Sequence, residues 1–139
     1  KSNKKVGAFE REMLFMGLDM FAYKVPKKDV RGDFKFKRSK NVIEIDYWRK
    51  HHDLHGWFEN LYLSKGGNET FNCIPLKLEL EDLDQLEYDI KNRNLPHTTG
   101  FFFGDNPPND ESDKYDLEFI EKARQAINDG YAVYYDSWW

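Results

Sequence analysis

The chain has 139 residues, enough for one domain with a sizeable hydrophobic core. Its single cysteine, Cys73, excludes an intramolecular disulfide, and no stretch approaches the roughly 20 apolar residues that a membrane-crossing helix needs. A net charge of −4 weighs against a chain given over as a whole to binding nucleic acid.

The charge is unevenly spread. Between Lys24 and Lys40 eight Lys/Arg face two Asp, a net of +6, whereas from Glu79 to Asp129 fourteen Asp/Glu face five Lys/Arg, a net of −9. One end of the molecule is therefore expected to be basic and the other acidic, which bears on partners more than on fold. With no secretory leader visible and one cysteine, a reducing, cytoplasmic setting is expected. In that setting Asn68-Glu69-Thr70 and Arg31-Gly32-Asp33 read as accidental short patterns. Aromatic residues make up 17% of the chain, a high share that suits a core, a stacking surface, or both.

Residues 1–5 are expected to be flexible, and Ala8 to Met16 suits a short helix or an extended arm. Leu18 to Val25 reads as a strand, with Leu18, Met20 and Ala22 on one face and Phe21, Tyr23 and Val25 on the other. Residues 26–41 form a basic loop or hairpin, in which Phe34 and Phe36 alternate with Lys35 and Lys37. Lys27, Lys28, Arg31, Lys35, Lys37 and Arg38 are its phosphate-binding candidates, with the phenylalanines as stacking rings. The competing reading is a solvated loop whose phenylalanines tuck inward; any nucleic-acid binding carried here is expected to be weak.

Glu44 to Leu63, EIDYWRKHHDLHGWFENLYL, is the densest stretch of chemically useful side chains and is expected to be one helix. At about 100° per residue, Tyr47, His51, Leu54, His55, Phe58, Leu61 and Tyr62 share one side, and Arg49, Asp53, Gly56 and Asn60 the other. So wide an apolar arc implies a helix covered on most of its circumference. Gly66-Gly67 stops it.

Cys73 to Leu80 reads as a strand with Ile74, Leu76, Leu78 and Leu80 on one face; Pro75 places it at an edge or on a bulge. Glu81 to Arg93 is an amphipathic helix with Leu83, Leu86 and Ile90 inward and charges that complement its dipole. His97 to Gly104 reads as a strand, Asp105 to Asp113 as a loop, and Tyr115 to Asp129 as a third helix with Phe119, Ile120, Ala123 and Ile127 inward. Tyr131 to Tyr135 closes the fold as a strand, and at least one of Trp138 and Trp139 is expected to dock into the core. The expectation is a single α+β or α/β domain over residues 1–139, in which a mixed sheet of about four strands carries three main helices in the order β-α-β-α-β-α-β.

Several chemistries are weighed and set aside. His51 and His55 have the spacing of two helical zinc ligands, but no third ligand is evident and no metal or cofactor is expected. Ser137 lacks a nucleophile elbow, and Cys73 has no basic neighbour to activate a thiolate. Gly100 and Gly104 flank three phenylalanines rather than a phosphate-cradling loop with its lysine. What remains is a cationic, aromatic group, Trp48, Arg49, Lys50, His55 and Trp57, which suits a protein interface or a small anionic aromatic ligand.

YWRK at 47–50, HGWF at 55–58, TTGFFFG at 98–104 and the closing YYDSWW at 134–139, with Leu18-Asp19-Met20, give the chain a resemblance. It resembles a family of small bacteriophage-encoded proteins of unassigned biochemistry whose members often carry the label phosphoglycerate kinase. The label does not suit this sequence, which is far too short and has no nucleotide-binding loop of that kind. Of the three central histidines only His55 belongs to the family pattern, so His51 and His52 are treated as incidental. The resemblance implies a phage accessory protein in the cytoplasm of an infected bacterium, binding a host protein or a nucleotide-like ligand without catalysis, in antagonism of host antiviral defence. The alternative is a small enzyme acting on nucleotides or nucleic acid, with His55 as general acid or base.

Overall fold

The computed structural model describes residues 17–97 and 109–139. The segment Ala8–Met16 and, apart from His97 itself, the strand expected over His97–Gly104 lie outside the described residues. The elements are β1 (Asp19–Pro26), a 3-10 turn (Lys27–Asp29), β2 (Ile43–Arg49), α1 (His52–Ser64), β3 (Leu76–Leu78), α2 (Leu80–Lys91), α3 (Asp110–Asn128) and β4 (Tyr131–Trp138). The four strands form one sheet in the order β2-β1-β4-β3, every neighbouring pair antiparallel. The fold is α+β.

Among the described residues the order is β-β-α-β-α-α-β rather than the expected β-α-β-α-β-α-β, because one element changes type. The first third of the expected central helix is strand β2, an outer strand paired with β1 from Asp19↔Arg49 to Lys24↔Ile43. The stretch Ile43-Glu44-Ile45-Asp46-Tyr47-Trp48 alternates with period two and is rich in β-branched and aromatic residues, which suits a pleated ribbon. Its inward side chains are Asp46 and Trp48, while Ile43 and Tyr47 are exposed. The helix begins only at His52, after Lys50 turns the chain with a positive φ of 59°. Because β2 joins directly to β1, the sheet is antiparallel rather than mixed.

All three helices cover one face of this sheet. Met20 and Ala22 of β1, Trp48 of β2, Leu76 and Leu78 of β3, and Val133 and Tyr135 of β4 meet Leu54 and Phe58 of α1, Leu83, Leu86 and Ile90 of α2, and Phe119, Ile120 and Ala123 of α3 in one buried cluster. From His52 to Phe58 every residue of α1 is buried, so the first half of the helix is covered all round, while Glu59, Asn60, Leu63 and Ser64 in its second half are exposed. That burial includes Asp53 and Gly56, which the helical wheel assigned to the outer side. The helix ends near Gly66-Gly67, where a Cβ on Gly67 would lie 2.2 Å from the Tyr62 ring; the backbone must run against that ring.

The basic segment packs on the opposite face through Val30, Phe36 and Val42 and wraps round the β3 edge, so that Phe34 reaches the helical side. Phe36 is buried between Tyr134 and Tyr23, and Phe34 packs edge-on against Tyr62. Both phenylalanines therefore tuck inward, and of the expected loop or hairpin the segment is a loop closed by an isolated Val30–Phe36 bridge. Asp33 then accepts the Lys77 N–H at 2.8 Å, which covers the free edge of β3. At the last residues, Trp138 is exposed, whereas Trp139 packs on the core and donates its indole N–H to the Phe71 carbonyl at 3.2 Å.

Candidate functional site

A cavity of about 360 Å³ opens where the end of β2, the start of α1, the chain beyond α2 and the first turns of α3 converge. Each wall has a local cause. Lys50 holds its left-handed turn through an N–H bond to the Leu18 carbonyl at 2.8 Å, and this aims His51 inward ahead of α1. Gly17, next to the Lys50 side chain, itself turns with a positive φ of 71°, a conformation that favours glycine. Asn109 caps α3 by accepting the Ser112 N–H at 2.8 Å, so Ser112, Asp113 and Asp116 face the cavity from the first turns of that helix.

The floor is a buried carboxylate. Asp116 is 1% exposed, accepts the Trp48 indole N–H at 2.9 Å and lies 2.7 Å from His51 Nε2. Ser112 Oγ is 3.3 Å from the same ring nitrogen. The Trp48 ring packs edge-on against Phe119 and Tyr115, which fixes its indole over Asp116. The Tyr115 hydroxyl shares its one proton between two acceptors, the Asp46 carboxylate at 2.6 Å and the Tyr47 carbonyl at 2.7 Å. Burial pushes this phenol up to about 12, with the Asp46 carboxylate adding to the shift, so it remains a donor across the physiological range. On the facing wall Arg93 pairs with Asp110 at 2.9 Å and Asp113 at 3.4 Å. Burial raises the Asp113 carboxyl, and the Arg93 charge works against that rise.

Of the five residues singled out for partner binding, the structure brings Trp48, Arg49 and Lys50 together at this cavity and leaves His55 and Trp57 elsewhere. His55 is 7% exposed, stacks on Phe71 with centroids 5.3 Å apart, and shares a 2.6 Å hydrogen bond between Nδ1 and the Tyr135 hydroxyl. Burial, with the neighbouring His52 adding to it, lowers its pKa to about 4, so the ring is neutral at pH 7. Trp57 donates its indole N–H to Asp89 at 2.8 Å and so ties α1 to α2. His51 and His55 thus face different surroundings, and Nδ1 of His55 bonds Tyr135 rather than Ser137. Among the described residues no group of three His, Cys, Asp or Glu side chains is placed to hold a metal ion.

The nucleic-acid candidates Lys27, Lys28, Arg31, Lys35, Lys37 and Arg38 are all exposed. Arg31 bonds back to the Lys28 carbonyl at 2.7 Å. Arg38 pairs with Asp136 and lies over the rings of Phe36 and Tyr23.

His51, weighed only as a zinc ligand and then treated as incidental, lines this cavity, as do Arg93, Ser112, Asp113 and Asp116, which the sequence reading does not single out. Arg93, Asp113 and Asp116 carry the signature of ordinary helix termini, and nothing local links them to a histidine 65 residues from Asp116.

Fold and site together define a small α+β protein with a charged, half-enclosed pocket at the end of its outer strand β2. No protein-family model matches the chain. Neither the curated proteins nor the solved structures contain a significant match to it.

Proposed function

We propose that the chain is a non-catalytic binding protein whose pocket takes a small, nucleotide-like anion. The carrying observation is the meeting of Arg49, Lys50 and Arg93 with Tyr47, Trp48 and the His51–Ser112–Asp116 cluster around one cavity of about 360 Å³. Guanidinium and ammonium groups suit a phosphate, and the hydroxyl and imidazole suit the polar edge of a base or sugar. The volume falls in the range of small-ligand sites, roughly 300–1,000 Å³. In the setting the phage resemblance implies, holding such a ligand serves an accessory role toward a host component, and the reading extends to antagonism of host antiviral defence.

One observation favours the enzyme alternative in altered form. The acid–base residue on the pocket wall is His51, steadied by a buried carboxylate, rather than the enclosed His55.

Isothermal titration with nucleoside mono-, di- and triphosphates, with inorganic phosphate as reference, tests the reading. Binding of at least one nucleotide is expected, weakened about tenfold or more in Arg93→Ala, since a hydrogen bond to a charged group contributes about 1.5–3 kcal/mol. Chromatography of the same mixtures is expected to recover the nucleotide intact. Absence of heat with every nucleotide at millimolar concentration contradicts the proposal, and turnover lost in His51→Gln would transfer it to the enzyme class.

A further inference from the structure

The sheet divides the molecule electrostatically. On its helical side α2 and α3 carry eleven Asp/Glu against four Lys/Arg. Its other side is overlaid by the basic segment, whose lysines and arginines are exposed. Residues 30–42 pack on that side through Val30, Phe36 and Val42 and carry five Lys/Arg against one Asp, whereas Lys24 lies on the helical side beside Glu121 and Asp129; a polyanion is drawn to the face that carries this +4.

That face also carries a continuous row of rings. Tyr47 on β2 meets Phe21 on β1 edge-on at 5.4 Å, and Phe21 stacks with Tyr23 at 6.2 Å and 8° between planes. Tyr23 continues to Phe36 at 5.9 Å, and Phe36 to Tyr134 on β4 at 4.8 Å. Phe36 and Tyr134 are buried and serve as the foundation, Phe21 and Tyr23 are half-buried, and Tyr47 is 41% exposed. Arg38 extends the row by stacking over Phe36 and Tyr23, at 4.5 and 5.3 Å from their centroids. Its side chain is still 53% exposed while it pairs with Asp136.

We infer that this face binds single-stranded nucleic acid, with bases laid on Phe21, Tyr23 and Tyr47 and the phosphates followed by the basic segment. The partly exposed rings Phe21, Tyr23 and Tyr47, bordering the basic segment on the sheet face away from the helices, supply the two terms such binding needs: base stacking and phosphate neutralisation. A duplex keeps its base faces to itself and meets only the charges. An acidic protein likewise uses the charges but not a row of flat rings. The face shares Tyr47 with the pocket wall, but Phe21 and Tyr23, the rings altered in the test, line no part of the pocket.

Fluorescence anisotropy on the full chain tests it, using labelled oligothymidine of about 12 nucleotides, a duplex of the same length, and polyglutamate as competitor. The single strand is expected to bind at least tenfold tighter than the duplex, with affinity falling steeply as salt rises. Phe21→Leu and Tyr23→Leu, checked for folding by circular dichroism, are each expected to weaken it about fivefold or more, the equivalent of about 1 kcal/mol for a lost stacking ring. Tyr23→Phe keeps the ring and is expected to bind as the unaltered chain does. Equal affinity for single strand and duplex overturns the proposal, as do folded leucine variants of unchanged affinity. Absence of binding at about 100 µM, the weak end of non-specific association, does so too. Displacement by polyglutamate as effective as by unlabelled oligothymidine would assign the face to an acidic protein instead.

Discussion

His51 and His55 stand one helical turn apart, and on a helical wheel they look like a pair. In the structure they belong to different worlds. His51 precedes the first residue of α1, so its direction follows the Lys50 turn and not the helix; it reaches the Asp116 carboxylate at the pocket wall with its side chain 16% exposed. His55 lies inside α1 and points into the sheet-facing core, against Phe71 and Tyr135. Four residues of spacing make a shared face only where both residues are within one helix. A helix start displaced by a few residues is enough to turn a would-be ligand pair into one structural ring and one site residue.

The comparison breaks most visibly under substitution. His55→Ala removes a buried ring and leaves the Tyr135 hydroxyl without that partner, so a cost of about 3 kcal/mol is expected. In a chain of this size that lowers the melting temperature by about 10 °C. His51→Gln keeps a polar group opposite Asp116 and is expected to cost less than about 1 kcal/mol. Equal losses in thermal melts of the two variants would abolish the distinction.

Between those extremes lies Trp48, shared by core and pocket. Trp48→Phe preserves the packing against Phe119 but withdraws the indole N–H from the buried Asp116, and a loss of about 2 kcal/mol is expected by urea denaturation. An unchanged midpoint would mean that Asp116 does not depend on that bond.

Much of the fold was legible because periodicity reports burial. The alternation of Leu18, Met20 and Ala22 located β1, and Leu83, Leu86 and Ile90 oriented α2, whose inward residues are all buried. Of the edge or bulge that Pro75 allowed, the structure shows the edge, although β3 is only Leu76–Leu78 and starts just after the proline. The β2 stretch misled because its period-two run passes directly into the helical run of α1, and because its core side is the polar Asp46 beside Trp48 while its isoleucines lie outward or half-buried. The pairing of β1 with β4, more than a hundred residues apart, left no local trace.

The site was half legible for the same reason. Trp48, Arg49 and Lys50 announce their chemistry by adjacency. The opposite wall, Ser112, Asp113 and Asp116, is supplied by a helix whose acidic first turn looks like dipole compensation. Only the tertiary fold separates the buried Asp116 from its exposed neighbours Asp110 and Glu111.

The division of labour between the two histidines is tested most directly by following their ring resonances by NMR across pH. His55 is neutral in the fold down to about pH 4, whereas an unfolded histidine gains its proton near 6.5, so the unfolded chain binds more protons between these values. Stability linked to His55 is therefore intact above about pH 6.5 and is lost as pH falls toward 4, by about 3 kcal/mol in all. The account predicts a His55 signal flat from pH 8 to about 5, with a midpoint near 4 if the fold persists, and shielded from a soluble paramagnetic reagent that broadens His51. A His55 ring that titrates near 6.5 and broadens together with His51 would contradict it.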